Sequence, residues 1–273
     1  MEILTLPKKL ERQSKSYPDV LTSGKIEEDQ ERRLRDWNDL EGNLSGLDCA
    51  VCKNRGYMHV IRGSEIVAAD CVCMAKRRAI RQMEQNGLRA MWERFTFSGY
   101  QTAAKWQKAA LECVQTFSTN PSGQWLFIGG KVGAGKSHLC IAACAEIINA
   151  GTEVRYMLWR DDARKLKSLV NEPEYDDEIR RLKIVPVLYI DDFFKAGVRS
   201  VAAKPDISAA DINLAFEILN HRYNAEKTTI ISSELSVEDI IAIDEAVGSR
   251  IFEKSRGNYL FFGEKTENWR LRA

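Results

Sequence analysis

A glycine-rich loop near the middle of the chain has the residue types and the spacing of a phosphate-binding site. The run GGKVGAGKS, residues 129–137, contains the pattern G-x-x-x-x-G-K-S. Glycines in such a loop allow backbone N–H groups to turn inward around a phosphate, and the following helix adds its dipole. Lys136 is predicted to reach the β- and γ-phosphates, and the Ser137 hydroxyl to bind Mg²⁺. The predicted nucleotide-binding residues are Gly130, Gly133, Ala134, Gly135, Lys136, Ser137 and His138.

Two carboxylates at the end of a later apolar segment complete the predicted phosphate site. The segment is VLYIDDFF, residues 187–194, and its apolar half predicts a buried strand. We expect Asp191 to hold Mg²⁺ through water and Asp192 to act as the general base that polarises the attacking water. Hydrolysis depends mainly on positioning and charge stabilisation, so Lys136 and the metal would absorb the developing charge. The alternative is an ordinary turn after a strand.

Four of the seven cysteines are close enough in the sequence to form a metal site. They follow the pattern C-x-x-C, an 18-residue spacer, and C-x-C. In a reducing cytoplasm such pairs favour metal binding over disulfides, and four thiolates predict a closed, structural Zn²⁺ site. Free cysteines that merely cluster are the alternative, and His59 is a possible substitute ligand. The predicted zinc ligands are Cys49, Cys52, Cys71 and Cys73, whereas Cys113, Cys140 and Cys144 fall in apolar helical stretches and are expected to be buried.

Charge and apolar patterns divide the chain into four predicted parts. Alternating charges with Leu34, Trp37 and Leu40 on one side predict a helix that ends at Gly42, with either a solvated or a partner-docking face. Two short alternating runs around residues 62–64 predict a hairpin. The predicted parts are an N-terminal helical partner-binding segment (1–45), a zinc-binding module (46–75), a basic linker helix (76–94) and an ATPase domain (95–273).

Helical and strand patterns alternate from residue 95 onward. Such alternation predicts an α/β fold in which helices flank a parallel sheet. The glycine loop then lies between a strand and an alanine-rich helix that ends at Gly151, which is the order that phosphate binding requires. The predicted strands occupy residues 125–129, 153–158, 186–191, 228–232 and 258–262, and a predicted helix at 102–118 precedes them.

Composition limits the classes of protein to which the chain can belong. It has 273 residues, a formal net charge of +1 and 44% hydrophobic residues. This length suits one α/β core with a smaller module, and the near-neutral charge excludes a global basic field while leaving local basic patches. No apolar run approaches membrane-spanning length, and the N-terminus lacks a secretory apolar segment. We therefore expect a cytoplasmic protein without a membrane partner.

Two local features are candidates for contact with nucleic acid. The basic linker helix has side chains that could pair with phosphates, although a soluble connecting helix is an equal alternative. Phe193 and Phe194 are candidates for stacking on bases, with packing at a subunit edge as the favoured alternative. The basic residues of the linker are Lys76, Arg77, Arg78, Arg81, Arg89 and Arg94.

The order of the motifs resembles that of a known family. The motifs are the C-x-x-C…C-x-C pattern followed by KRRAIRQMEQNGL, then GGKVGAGKSHL, LYIDDFF, TIISSELSVEDI, GSRIFEKS and NWRL. With these motifs the chain resembles the bacterial and phage replicative-helicase loaders of the DnaC/DnaI type, AAA+ ATPases related to the IstB transposition proteins. The resemblance covers nearly the whole chain. The near-neutral composition leaves chromosomal and phage origins open, and we favour a phage origin.

The resemblance implies further site residues. In AAA+ ATPases an arginine at the start of a helix before the last strand stabilises the transition state in the neighbouring subunit's site, and Arg250 matches that position. A polar residue after the preceding strand senses the γ-phosphate. The family often has Asn where this chain has Glu234, so the sensor stays open among Ser232, Ser233 and Glu234. Asp192 replaces the Glu of many members, which fits slow hydrolysis, and the usual helical lid is expected to be absent.

The resemblance also implies a function in two parts. The N-terminal module would bind the hexameric replicative helicase, and the ATPase part would self-associate and bind single-stranded DNA. ATP binding and slow hydrolysis would act as a switch in the initiation of DNA replication. The implied cofactors are ATP or ADP, Mg²⁺ and Zn²⁺.

Three other functions share parts of this pattern. An IstB-like ATPase assisting a transposase shares the core but is not expected to need the cysteine module. An origin initiator of the DnaA kind predicts a C-terminal DNA-binding domain, for which the chain after the last strand is too short. An adaptor that binds nucleotide without hydrolysing it is disfavoured because all candidate catalytic residues are present. They are Lys136, Ser137, Asp191, Asp192 and Arg250.

Overall fold

The chain forms two compact units, the first of residues 1–81 and 148–151 and the second of residues 82–147 and 152–273. The computed structural model describes residues 28–63, 65–85, 89–195, 207–263, 266 and 268–271. The predicted N-terminal segment is therefore included only from Glu28 onward, and its first 27 residues lie outside the described residues.

The first unit is built around a hairpin. Its elements are helix α1 (Glu28–Asp39), strands β1 (Tyr57–Arg62) and β2 (Glu65–Asp70), and most of helix α2 (Cys73–Gln85). The strands are antiparallel and Arg62 pairs with Glu65, so the hairpin prediction is confirmed. Gly63 adopts a φ of 63° in the turn, a conformation that glycine tolerates without a steric penalty.

Helix α1 contacts the hairpin and ends earlier than predicted. Its last residue is Asp39 rather than Gly42. The Asn38 amide donates to the His59 carbonyl at 2.9 Å and accepts from the His59 backbone N–H at 2.8 Å, so these bonds fix the end of the helix against β1. The Trp37 ring lies 4.9 Å from the His59 ring, and Leu40 is 59% exposed.

The second unit contains a five-stranded parallel sheet. Its strands are β3 (Trp125–Gly130), β4 (Val154–Leu158), β5 (Val187–Phe193), β6 (Thr228–Ser233) and β7 (Tyr259–Phe262). They lie in the order β4-β5-β6-β3-β7, and every neighbouring pair is parallel. Each predicted strand is present with ends that differ by two residues at most. The predicted α/β fold with a parallel sheet is therefore confirmed.

Helices flank this sheet and exclude water from its central strands. All six residues of β3 are buried, as expected for a parallel strand covered on both faces. Within the described part of the chain, no helix is both long enough and apolar enough to cross a membrane. The helices are α3 (Arg89–Arg94), α4 (Lys105–Thr119), α5 (Lys136–Asn149), α6 (Trp159–Ser168), α7 (Glu174–Ile184), α8 (Ala209–Asn224), α9 (Val237–Ile243) and α10 (Glu245–Lys254), followed by a short 3-10 helix (Trp269–Leu271).

The structure corrects two expectations about burial. Phe193 and Phe194 are 0% and 1% exposed, stack on each other with ring centroids 4.1 Å apart, and contact the Trp159 ring. They belong to the core of the second unit, so neither base stacking nor packing at a subunit edge is their role. Cys140 and Cys144 are buried as expected, but Cys113 is only half-buried.

Candidate nucleotide site and metal centre

The glycine loop connects β3 to α5 and is spanned by the Lys136 side chain. The Lys136 Nζ donates to the carbonyls of Gly130 at 2.7 Å and Lys131 at 2.9 Å. Burial lowers the pKa of Lys136, while the nearby carboxylates of Glu234 and Asp192 act in the opposite direction. The ammonium is therefore held inside the loop by weak acceptors that phosphate oxygens can replace.

Close contacts require glycine at two positions of the loop. A Cβ on Gly130, whose φ is 119°, would come within 2.1 Å of the Phe262 carbonyl oxygen of β7. A Cβ on Gly133 would come within 1.8 Å of the Asn268 side chain, and the Trp269 backbone N–H donates to the Gly133 carbonyl at 3.1 Å. The loop thus contacts both the last strand and the segment that follows it.

Asp191 lies at the centre of a buried hydrogen-bond network. Its Oδ1 accepts from the Ser137 hydroxyl at 3.1 Å and from the Ser232 hydroxyl, and its Oδ2 accepts from the Tyr156 hydroxyl at 3.0 Å. Because β6 lies between β3 and β5, Ser232 is the residue that connects the two halves of the phosphate site. Three strands and the first turn of α5 therefore fix the position of one carboxylate.

Ser137 and Asp191 fit a magnesium site. The Ser137 hydroxyl donates to the Asp191 carboxylate at 3.1 Å, so both oxygens are within reach of one ion. Ser137 would bind Mg²⁺ directly and Asp191 would hold it through water, and phosphate oxygens and further waters would supply the remaining ligands, as is usual for Mg²⁺ in nucleotide sites. When bound, the ion would neutralise charge on the β- and γ-phosphates.

Asp192 occupies a left-handed position at a bulge in β5. Its φ is 54°, a region that Asp tolerates better than most residues, and the pairing of β5 with β6 is irregular between Ile190 and Phe193. The bulge interrupts the alternation of side chains along the strand. The Asp192 carboxylate accepts from the Lys195 ammonium at 3.0 Å.

The three candidate sensor residues differ in their surroundings. Ser232 and Ser233 are both fully buried, and the Ser233 hydroxyl donates to the Phe193 carbonyl at 2.8 Å. Glu234 is partly exposed, and its carboxylate accepts from Lys195 at 2.8 Å. Glu234 is therefore the only one of the three with a partly exposed side chain.

His138 packs against the chain segment that precedes α4. Its ring stacks on Phe95 at 4.8 Å, and its Nε2 lies 2.7 Å from the Thr96 carbonyl oxygen. Because a carbonyl oxygen can only accept, Nε2 carries the proton. Burial lowers the pKa of His138, so the ring is neutral at pH 7. A direct contact of His138 with nucleotide stays a prediction.

Tyr100 is a polar residue of this site that the sequence did not indicate. Its ring lies 3.0 Å from the position that a Cβ on Gly135 would occupy, and burial raises the pKa of its hydroxyl to about 12. Among the described residues its hydroxyl has no hydrogen-bond partner. A buried hydroxyl beside the phosphate loop is suited to form a hydrogen bond with an oxygen or nitrogen atom of a ligand.

Arg250 lies in the middle of α10 rather than at its start, and it contacts α8. Its guanidinium donates to the Asn220 side chain at 3.2 Å and to the Ala246 carbonyl at 2.6 Å. It also lies over the rings of Phe216 and Tyr223, at 5.2 and 5.4 Å. These contacts hold it partly exposed on the surface of the second unit.

The four clustered cysteines form a compact thiol group in the first unit. Their sulfurs all lie within 4.8 Å of one another, with Cys49 to Cys71 at 3.9 Å and Cys52 to Cys73 at 3.6 Å. Bonds of about 2.3 Å to a tetrahedral Zn²⁺ place two sulfurs about 3.8 Å apart. The cluster therefore fits zinc. His59 is not part of it, since it belongs to β1 and its ring packs at a tilt against the Trp37 ring.

Comparison with known protein families decides the membership of the chain. The model of the IstB-like ATP binding proteins matches residues 50–254, about three quarters of the chain. The chain belongs to this family. The IstB-like match and the geometry of the phosphate loop make the protein a P-loop ATPase, and the resemblance to DnaC/DnaI-type AAA+ proteins is confirmed.

Relatives of this IstB-like ATPase include phage and replication proteins. The phage-like element PBSX protein XkdC of Bacillus subtilis (strain 168) is 29% identical over 78% of this chain and 81% of its own length. The replicative helicase loader DnaC of Escherichia coli (strain K12) is 23% identical over 71% of this chain and 76% of its own. A crystal structure of the DnaC helicase loader matches with a TM-score of 0.52 and 23% identity, over 63% of this chain and 98% of that one. The chain spans only about half the length of an AMPPCP-bound DnaA from Aquifex aeolicus.

Proposed function

We propose that this ATPase loads a hexameric replicative helicase onto single-stranded DNA. The observation that carries the proposal is the likeness of the ATPase core to a DnaC helicase loader, and the same chain carries a separate four-cysteine unit. The core supplies ATP-dependent assembly, and the cysteine unit supplies a second, independently built surface for the helicase. The similarity to DnaC and DnaI, both named replicative helicase loaders, supports this assignment.

The exposed apolar side chains of the first unit support a docking role for it. Trp37 is 41% exposed at the end of α1, Leu40 follows it, and Tyr57 is 42% exposed at the start of β1. Apolar and aromatic side chains of this kind are enriched in protein interfaces. We place the helicase contact on this surface, with the four cysteines and Zn²⁺ fixing the hairpin that carries it.

The ATPase unit is proposed to act as a switch that depends on self-association. ATP bound to one copy would be completed by Arg250 of a neighbour, and hydrolysis would release that assembly. The position of Arg250 on the surface, against Phe216 and Tyr223, supports a role toward a second copy. Slow turnover would suit such a switch.

Single-stranded DNA is the proposed third ligand. The basic linker helix remains a candidate, but two of its arginines already serve the first unit. Arg77 donates to the Ser45 and Leu47 carbonyls, and Arg78 pairs with Asp70. The DNA contact would therefore depend on other basic residues of the ATPase assembly.

An IstB-like role in transposition is the second candidate function. The IstB-like family match begins at residue 50, inside the cysteine segment. The matched region includes Cys52, Cys71 and Cys73, so the cysteine unit does not by itself separate helicase loading from transposition. The choice between helicase loading and transposition depends on which partner the chain binds. The experiment below therefore measures binding to the partner.

The proposal is tested by native mass spectrometry of the full chain mixed with the replicative helicase of its host, with and without ATP. We expect a complex that contains the helicase hexamer. The Leu40→Glu variant should weaken it by about tenfold or more, because a charge would be buried in the interface. Ile184→Glu, at a 52% exposed position of α7 in the second unit, is the matched control and should bind normally.

Failure to form a complex in any nucleotide state would contradict helicase loading. The same measurement with a transposase would then test the second candidate function. Equal weakening by Leu40→Glu and Ile184→Glu would leave the helicase as the partner but would remove the first unit as the docking surface.

A further inference from the structure

Lys195 lies between two carboxylates beside the phosphate site. Its Nζ is 3.0 Å from the Asp192 carboxylate and 2.8 Å from that of Glu234. The side chains are 32%, 29% and 34% exposed, for Lys195, Asp192 and Glu234 respectively, so the group is neither buried nor fully solvated. The Lys195 ammonium therefore pairs at the same time with Asp192, the predicted general base, and with Glu234, the partly exposed sensor candidate.

The three residues lie at the carboxyl ends of two neighbouring strands. Phe193 at the end of β5 pairs with Ser233 at the end of β6, so Asp192 and Glu234 flank this pair. Ligands of parallel α/β sheets bind outside this edge. The phosphate loop follows the carboxyl end of β3, which is parallel to β6 in the same sheet, so both carboxylates lie at the edge where the phosphates bind.

Two carboxylates at this edge would repel a γ-phosphate unless a cation accompanies them. A sensor must donate to phosphate oxygens, and an ionised Glu234 can only accept. Burial alone would lower the pKa of Lys195, but its hydrogen bonds to Glu234 and Asp192 raise it, so the amine is charged. Lys195 is the donor that the Glu234 position lacks.

We propose that Lys195 is a γ-phosphate-binding residue of this ATPase and that Glu234 is its positioning residue. Without a γ-phosphate, Lys195 pairs with Asp192 and occupies the predicted general base. A γ-phosphate attracts the ammonium, which keeps its bond to Glu234 and releases Asp192. The site then gains a donor to the phosphate and a free base in the same step.

The released Asp192 would take part in hydrolysis as follows. The water oxygen bonds to the γ-phosphorus, and the water proton moves to the Asp192 carboxylate. The bond from the γ-phosphorus to the bridging oxygen breaks, and ADP leaves with that oxygen and its electron pair. Lys195 stabilises the charge on the transferred group in this step.

Binding of Mg²⁺-ATPγS and of Mg²⁺-ADP to the full chain, measured by calorimetry, tests the proposal. In Lys195→Met we expect the Kd for ATPγS to rise about tenfold and the Kd for ADP to change less than about twofold. In Lys195→Met/Glu234→Gln one positive and one negative charge are removed together. The Kd for ATPγS should then return toward the value of the unsubstituted chain, while single-turnover ATP hydrolysis stays slow.

A matched control separates this role from that of a structural ion pair. Lys183 pairs with Glu217 at 2.7 Å, with 22% and 37% of the side chains exposed, on α7 and α8. Lys183→Met should leave the ratio of the two Kd values unchanged. The proposal is overturned if Lys195→Met also leaves that ratio unchanged and, like Lys183→Met, alters only the melting temperature.

Discussion

Asp191 shows at the residue scale how hydrogen bonds orient a buried carboxylate, the one that is predicted to hold Mg²⁺. Its two oxygens are oriented by different strands, with Tyr156 from β4 on Oδ2 and Ser232 from β6 on Oδ1. Outer hydrogen bonds of this kind orient metal ligands, and their loss reduces metal affinity or activity substantially. Tyr156 is therefore expected to act through Asp191, without touching the nucleotide.

The Tyr156→Phe variant should lower kcat/KM for Mg²⁺-ATP about tenfold and raise the Mg²⁺ concentration needed for half-maximal rate. Removal of the hydroxyl leaves Oδ2 without its donor, and the carboxylate can rotate. Tyr189→Phe is the matched control, since the Tyr189 hydroxyl meets the Ser232 hydroxyl at a longer 3.4 Å. Equal effects of the two variants on the Mg²⁺ titration would contradict a specific role for Tyr156.

His138 should make the stability of the second unit depend on pH. Burial lowers its folded-state pKa below the ordinary value of about 6.5. Between those two pKa values the unfolded chain binds more protons, so the free energy of unfolding decreases as the pH falls. We expect the melting temperature to fall from pH 7.5 to 5.5, and to fall less in His138→Gln.

The control for this pH effect is His221→Gln, a substitution at an exposed position of α8. It should keep the pH dependence of the unsubstituted chain. A His138→Gln melting temperature that falls with acidification as steeply as that of the unsubstituted chain would show that other groups cause the effect.

At the scale of helices and strands, the Arg222 side chain on α8 connects α7, the segment before β5, and β6 through hydrogen bonds. It is fully buried at the end of α8, and it donates to carbonyls at the end of α7, before β5 and at the start of β6. Burial lowers its pKa to about 9, so it stays charged at neutral pH. The last carbonyls of a helix lack partners within the helix, and this guanidinium supplies them.

The Arg222→Met variant should reduce the free energy of unfolding by about 3–5 kcal/mol, because several buried carbonyls lose their donor. The stability of Arg222→Lys should lie between that of the unsubstituted chain and that of Arg222→Met, since lysine keeps the charge but lacks the planar guanidinium. The control is Arg180→Met, whose exposed side chain pairs with Asp177 on α7; it should change stability by less than about 0.5 kcal/mol. Chemical denaturation measures all three, and a loss in Arg222→Met no larger than the control's would contradict this role.

The hairpin of the first unit is the second element whose stability can be tested. We expect about one Zn²⁺ per chain by elemental analysis, and unfolding of this unit at lower temperature after chelation. Cys52→Ser should lose the metal, because Cys52 is fully buried in the cluster. Cys113→Ser, outside the cluster, should retain it. Full metal content in Cys52→Ser would exclude the four-cysteine site.

At the scale of the whole molecule, the proposed role of Arg250 would make assembly a condition for hydrolysis. Lys136 lies inside the phosphate loop, whereas Arg250 is held on the surface by Asn220. If one copy supplies the loop and the next supplies the arginine, a single copy has only part of the site. Activity should then rise with protein concentration.

Mixing two inactive variants tests this shared site. Lys136→Ala and Arg250→Ala should each lower kcat by about 10³-fold. An equal mixture should regain a measurable part of the activity, because some interfaces combine an intact loop with an intact arginine. Arg256→Ala, which removes an exposed arginine near the Phe252 ring, should stay active alone. Absence of recovery in an associated mixture would place Arg250 outside the site.

The sequence by itself determined the features that consecutive residues encode. The loop around Lys136, the carboxylates after β5 and the four cysteines are recognisable because their chemistry depends on short spacings. The alternation of apolar runs also gave the strands within two residues, since burial of a parallel strand leaves a continuous apolar segment. These features require no knowledge of which strands are neighbours.

Only the tertiary structure decided which distant residues meet. The order of the strands places β6 between β3 and β5, and so brings Ser232 to Asp191 and Lys195 to Glu234. Tyr156 and Arg222 were invisible in the sequence for the same reason, because their partners lie on other elements. Spacing along a chain encodes local chemistry, whereas contacts across a sheet depend on how its strands are ordered.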